Sequence, residues 1–195
     1  MTMKHITGAL LVIFLAGCGT KMTPLKNYTL QTPEADKRYQ GSYHSKTIKV
    51  MQPLSLKEKM SDKMYFSYSP VQQGAYLNSK WSNDLGQLLQ GTVIYTLQSS
   101  GMFKGVVSYA STAQADYRLE STVFDFSHHV RGNASDAVVS LQFDLVSTHT
   151  GELIKSKRFS YREATKTTDA QGYVEASNRA IERLSNDLLL WLHTL

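Results

Sequence analysis

Apolar side chains recur along this chain with two different periods, and each change of period marks an element. In residues 47–51, Ile48 and Val50 alternate with polar neighbours ahead of Pro53, the period-two pattern of a half-buried strand. Residues 64–68 form an aromatic-rich strand closed by Pro70, after which a loop is expected. Residues 103–109 are again strand-like. Two long alternating runs follow. In 116–130, Tyr117, Leu119 and Val123 face one way and Phe124 and Phe126 the other; in 137–147, Val139, Leu141, Phe143 and Leu145 share a face. A turn over 148–152 leads into 153–162, where Phe159 and Tyr161 continue the alternation. Short connections between such strands predict two successive antiparallel hairpins at the centre of a sheet.

Elsewhere the period lengthens to that of a helix. From Asn78 or Ser79, the residues Trp81, Leu85, Leu88, Leu89, Val93 and Leu97 recur at three- and four-residue steps, and Gly101 ends the stripe. Gly86 and Gly91 each lower helix propensity by about 1 kcal/mol, so packing must hold this helix, and the glycines suit close approach of a strand. A second helix starts near Thr168 or Asp169, either of which can accept a bond from an unpaired backbone amide. Val174, Ile181, Leu184, Leu188, Trp191 and Leu195 line one of its faces. Two one-sided helices and an alternating sheet are buried most simply in two layers. The expected fold is an α+β two-layer sandwich, a mainly antiparallel sheet with both amphipathic helices packed on one face.

The N-terminus carries a different kind of pattern. Lys4 precedes an apolar run from Ala9 to Leu15, followed by Ala16, Gly17 and Cys18, the single cysteine of the chain. These are the three parts of a secretory signal, and the run is shorter than the ~20 apolar residues that a membrane-spanning helix requires. The sequence Leu15-Ala16-Gly17-Cys18 resembles a lipobox, in which the cysteine sulfur is acylated and cleavage makes that cysteine the new N-terminus. A signal peptide over residues 1–17, an acylated tether over 18–26 and one domain over 27–195 are therefore expected, with Cys18 as the lipidation site. Several acyl chains, at about 0.8 kcal/mol per buried methylene, hold a protein on a membrane where one chain does not. Gly19, rather than aspartate, follows the cysteine, which by the sorting rule favours the outer membrane.

Removal of residues 1–17 leaves 178 of 195 residues, enough for one domain with its own core. Loss of Lys4 lowers 21 basic side chains to 20 against 16 acidic ones, a mild and scattered excess that excludes nucleic acid as the expected partner. With Cys18 acylated no disulfide forms. The segments 19–32, with one short strand at 27–30, and 34–45, a polar loop, complete the reading.

Candidate chemistry is sparse. His128, His129, Arg131 and His149 suggest a metal or anion, but adjacent strand residues point to opposite faces, so a solvated strand end is expected there and no metal. No serine sits in a Gly-x-Ser-x-Gly turn and no glycine-rich loop opens a helix after a strand, so no catalytic residue and no cofactor are expected. Tyr65, Phe66, Tyr68 and Tyr76, around Pro70, are either core or an aromatic surface for a partner or an acyl chain. Asp116 reads as a cap where its strand begins.

The order of landmarks carries a resemblance. Cys18, Tyr28-Thr29-Leu30, Trp81 with Leu85 and Leu88-Leu89, Gly101-Met102-Phe103, Ala115-Asp116-Tyr117-Arg118-Leu119 and Leu190-Trp191-Leu192 together resemble the ABC-type transport auxiliary lipoprotein family. The resemblance implies a non-enzymatic, periplasm-facing envelope lipoprotein that works beside an ABC transporter and Mce-domain proteins in moving lipids or other hydrophobic molecules. It leaves open a lipid ligand, a homo-oligomer, and the alternative of an envelope assembly lipoprotein such as a lipopolysaccharide-assembly factor or an activator of cell-wall synthases.

Overall fold

The computed structural model describes residues 23–35, 38–39, 43–55 and 60–194, and Cys18 with its whole signal segment lies outside them. The described chain runs β1 (Lys26–Tyr28), β2 (Thr47–Val50), β3 (Leu54–Ser55), β4 (Lys63–Ser69), β5 (Gln72–Trp81), α1 (Leu85–Ser100), β6 (Gly105–Ser108), β7 (Tyr117–Arg131), β8 (Ala134–Ser147), β9 (Leu153–Ala164) and α2 (Ala170–His193). The expected two-layer α+β sandwich is what forms.

The sheet is organised around β7. On one side it pairs antiparallel with β8 along its full length, from Tyr117↔Ser147 to Arg131↔Ala134, and β8 pairs antiparallel with β9. Gly132, at φ 60°, supplies the tight reversal between β7 and β8. The other side of β7 is shared end to end by three shorter strands, all parallel to it: β2 at Ile48↔Tyr117, β3 at Leu54↔Thr122 and β4 at Phe66↔His128. β6 extends the sheet beyond β2, while β5 and then β1 extend it beyond β4.

One irregularity in β7 corrects the sequence reading. Val123 pairs with Leu141 but Asp125 pairs with Ser140, so Phe124 is an extra residue, a β-bulge. The bulge reverses the facing of everything after it. Leu119 and Val123 before it, and Phe126 and His128 after it, are therefore all buried. Phe124 instead turns to the open face of the sheet, with the Arg158 guanidinium 4.1 Å from its ring centre. Alternation alone had placed Val123 and Phe126 on opposite faces.

The expected β8 face is the centre of the core: Val139, Leu141, Phe143 and Leu145 are buried against α2 and β9. Phe159 bridges them to the helix, edge-on to Phe143 at 6.0 Å and to Trp191 at 6.1 Å. Each such side chain contributes about 1.5–3 kcal/mol through burial. Helix α2 begins where Asp169 accepts a bond from the Gly172 amide at 2.9 Å. A β-carbon at Gly172 would lie 2.2 Å from the Thr167 carbonyl oxygen, so only glycine fits that turn.

The start of the first helix differs from expectation. Residues 72–81 form β5, hairpinned to β4, and the helix begins only at Leu85. Trp81 ends the strand instead of leading the helix, packing edge-on against Phe126 and Tyr173. Its spacing to Leu85 and Leu88 imitates a helical stripe across a strand-to-helix junction. The first helical amide, that of Leu85, donates to the Ser61 carbonyl at 3.1 Å, and Gly101, at φ 66°, closes the far end. Leu85, Leu89, Val93 and Leu97 form the buried stripe. Gln90 ties the helix to the sheet through a 2.9 Å bond to the Val50 carbonyl, and Thr96 meets Ser185 of α2 at 3.1 Å.

The two helical glycines differ. A β-carbon at Gly86 would press on Met60 at 3.3 Å, whereas one at Gly91 would meet nothing within 4 Å. Gly91→Ala is thus expected to raise unfolding free energy by about 1 kcal/mol through helix propensity, measured by urea denaturation. A neutral or destabilising result would overturn the reading of open space at Gly91.

Candidate functional site

The polar groups that look chemical in the sequence are placed by β7 at opposite ends of the sheet. At its C-terminal end, the bulge points His128 inward, where it is completely buried. Its ring stacks on Tyr173 at 5.2 Å with a 10° interplanar angle, and its Nδ1 shares a 2.7 Å hydrogen bond with the Tyr76 hydroxyl. Nε2 has no hydrogen-bond partner. Burial pushes the imidazole pKa down to about 4, against a smaller opposing effect of Asp169, and pushes the Tyr76 phenol up. Both groups are therefore neutral over the physiological range. The expected solvated strand end is, at His128, part of the core.

His129 lies on the other face of the same strand and meets Asp125 at 3.1 Å. Arg131 pairs with Asp136, which also accepts from Arg162 at 3.0 Å. His149 sits about 40 Å away along the strand direction, given roughly 3.3 Å per residue, at the β8–β9 turn. The three histidines are thus not brought together, and among the described residues no group of three His, Cys, Asp or Glu could hold a metal.

The aromatic cluster divides. Phe66 stands edge-on to both Tyr68 (5.2 Å) and Tyr76 (5.3 Å), so the rings run from the buried His128 outward to the exposed Tyr68. Tyr76 belongs to the interior and Tyr68 to the surface.

At the opposite end, Asp116 joins β2 to β7. Its carboxylate accepts from the Thr47 amide at 2.8 Å and hydroxyl at 2.9 Å, and Lys46 lies 3.3 Å away. In return the Asp116 amide donates to the Thr47 carbonyl at 3.0 Å. These bonds, the backbone one foremost, hold the carboxyl far below the usual range. Asp116 is a clamp between strands, as the cap reading anticipated.

Beside this clamp lies a cleft of about 500 Å³ lined by Lys49, Met51, Tyr109, Arg118, Thr148 and His149, among others. Its cations are engaged within the chain. Lys49 donates to the Ser111 carbonyl at 2.9 Å, Arg118 pairs with Glu120 at 2.5 Å, and His149 lies 3.7 Å from Asp116. The sequence reading did not single out this group. The parity of β2 and β7 could have placed Lys49 and Arg118 on one open face, but only the parallel pairing makes them neighbours.

The described residues thus make a two-layer α+β domain with one open, charge-paired sheet face, in which His128 is packed into the core and Asp116 clamps two strands together. The chain belongs to the family of the ABC-type transport auxiliary lipoprotein component, whose model matches residues 28–188. It is accordingly an auxiliary component of ABC-type transport in the bacterial envelope. No curated protein matches the chain. Among solved structures it is similar to protein XCC0632 from Xanthomonas campestris, at 17% identity and a TM-score of 0.75, covering 86% of this chain and 95% of that one. An uncharacterised protein shares 18% identity at a TM-score of 0.66, over 87% and 99% of the two chains. The PelC dodecamer from Paraburkholderia phytofirmans follows at 15% identity and a TM-score of 0.50, over 77% and 92%. At these identities the likeness shows the fold.

His128 makes stability acid-sensitive in a defined window. Its folded pKa lies near 4 and its unfolded value near 6.5, so the unfolded chain binds the proton first as the pH falls. Stability is then full above about pH 6.5 and declines toward pH 4, by an amount on the order of 3 kcal/mol. Urea midpoints across that range check this, and His128→Gln is expected to flatten the decline. Asp116→Ala removes the clamp on Thr47 and is expected to cost about 1–3 kcal/mol in the same assay at pH 7. An unchanged midpoint would mean that β2 is held without it.

Proposed function

We propose that the chain is cut before Cys18, acylated on that residue and held at the periplasmic face of the outer membrane. There it serves as a non-enzymatic accessory to an ABC transporter and Mce-domain proteins that move lipids or other hydrophobic molecules. The observation that carries this reading is the family match over residues 28–188. The roles of Asp116, Asp136 and His128 agree with it, since each is engaged within the chain by neighbouring strands or rings. No helix among the described residues is long and apolar enough to cross a membrane. The related fold of PelC forms a dodecamer, which supports an assembly of several copies of this chain as part of the same reading.

Crosslinking in intact cells, with Cys18→Ser as the control for the anchor, tests the proposal. Transporter and Mce-domain components are expected among the partners, and mass spectrometry is expected to find acyl chains on Cys18. Recovery of cell-wall synthases with no transporter component would defeat the partner assignment, and an unmodified thiol would defeat the anchor.

A further inference from the structure

The β4–β5 hairpin has a surface unlike the rest of the molecule. From Met64 to Ser79 the chain contains no Asp, Glu, Lys, Arg or His. Its turn exposes Val71 at 95%, and the exposed Tyr68 and Leu77 come from opposite faces of the two strands. Leu25, just before the neighbouring β1, is exposed as well. Apolar groups on both faces of the hairpin match a medium that surrounds it, not a partner that covers one side.

The direction of β1 identifies that medium. β1 runs parallel to β5 with Lys26 beside Ser79, so residues before Lys26 continue along β5 toward its beginning at Gln72, next to the turn. Thr23 and Pro24 do lie along this path, lining a cleft of about 200 Å³ with Tyr76, Asp169 and Gln171. Continued in that register, Thr23 stands level with Tyr76. Cys18 is five residues before Thr23, and Val71 is five before Tyr76, in the same direction. Five residues span at most about 18 Å, so an anchor at Cys18 can reach the level of the hairpin turn and falls short of the far end of the sheet, roughly 30 Å from the level of Thr23. Arg131 and Arg162, at the neighbouring strand ends, share Asp136, and Glu163 and Asp169 stand at the same end, so the apolar turn is flanked by paired charges of both signs.

We infer that the turn of the β4–β5 hairpin, with Val71 and Tyr68 at its tip, is a second membrane contact that enters the interface of the same bilayer that holds Cys18. Tyr68 is suited to the headgroup level, where an aromatic ring can bury its face and keep its hydroxyl wet. Two contacts fix the domain's orientation where an acyl tether alone leaves it free. The domain then stands with the turn down and the Lys49–Arg118–His149 cleft facing away from the membrane.

The inference rests on the anchor proposed above, and one experiment separates the two. The full-length acylated protein is prepared as Val71→Cys and as Leu153→Cys, the latter an exposed position at the far end of the sheet. Each is labelled with an environment-sensitive fluorophore and reconstituted into vesicles of phosphatidylethanolamine and phosphatidylglycerol containing a lipid-borne quencher. The label at 71 is expected to shift to the blue and lose most of its emission, and the label at 153 to do neither. Equal, unquenched emission from both would overturn the inference, as would a label at 71 shielded only after envelope proteins are added. The mass of Cys18 in the same samples decides the anchor by itself. Where it is unmodified, the Cys18→Ser/Val71→Cys chain is measured instead, and a silent label again overturns the hairpin contact.

Discussion

The ladder between β7 and β8, with its bulge at Phe124, is the constraint on which the rest of the molecule depends. It is the longest pairing in the sheet, and the single extra residue sets which side chains face the helices. Without that reversal, Phe126 and His128 would face the open side, and Trp81 and Tyr173 would lose the rings they pack against. β7 also serves as a common edge for β2, β3 and β4, so one strand fixes the placement of the whole N-terminal half.

The electrostatics follow from this frame. The ladder places His128 in the apolar layer, where desolvation keeps it neutral, and places Asp116 where a backbone amide, a hydroxyl and an ammonium converge on its carboxylate. Charged residues on the open face are matched in short circuits such as Arg131–Asp136–Arg162 and Arg118–Glu120. Such pairs contribute modestly to stability, but they keep a broad polar sheet face wet and discourage adventitious burial. The family to which the chain belongs is one of transport auxiliaries.

The long axis of β7 also separates two ends of different character. One carries the uncharged hairpin, the start of α2 and the segment leading back toward Cys18; the other carries the Asp116 clamp and a cleft rimmed by Lys49, Arg118 and His149. This polarity agrees with the attachment proposed above and leaves the end with Lys49, Arg118 and His149 open.

Much of the fold was legible in the residues themselves. The alternation in β8 and β9, the stripe of α2 and the Asp169 cap are local patterns, since each depends only on the period of its own backbone and on groups a few residues apart. The polar, glycine-containing β5 gave no such pattern, and Trp81 happened to stand in helical spacing with Leu85, so strand was taken for loop and then for helix. The lipobox reading, also local, falls on residues outside the described ones. By contrast, the Phe124 bulge, the parallel docking of three strands on β7, the burial of His128 and the neighbourhood of Lys49 and Arg118 were decided by tertiary structure alone. They depend on which distant segment completes a hydrogen-bonded edge or fills a buried face, and that choice is energetic across the whole sheet, without a period that any single stretch of sequence could record.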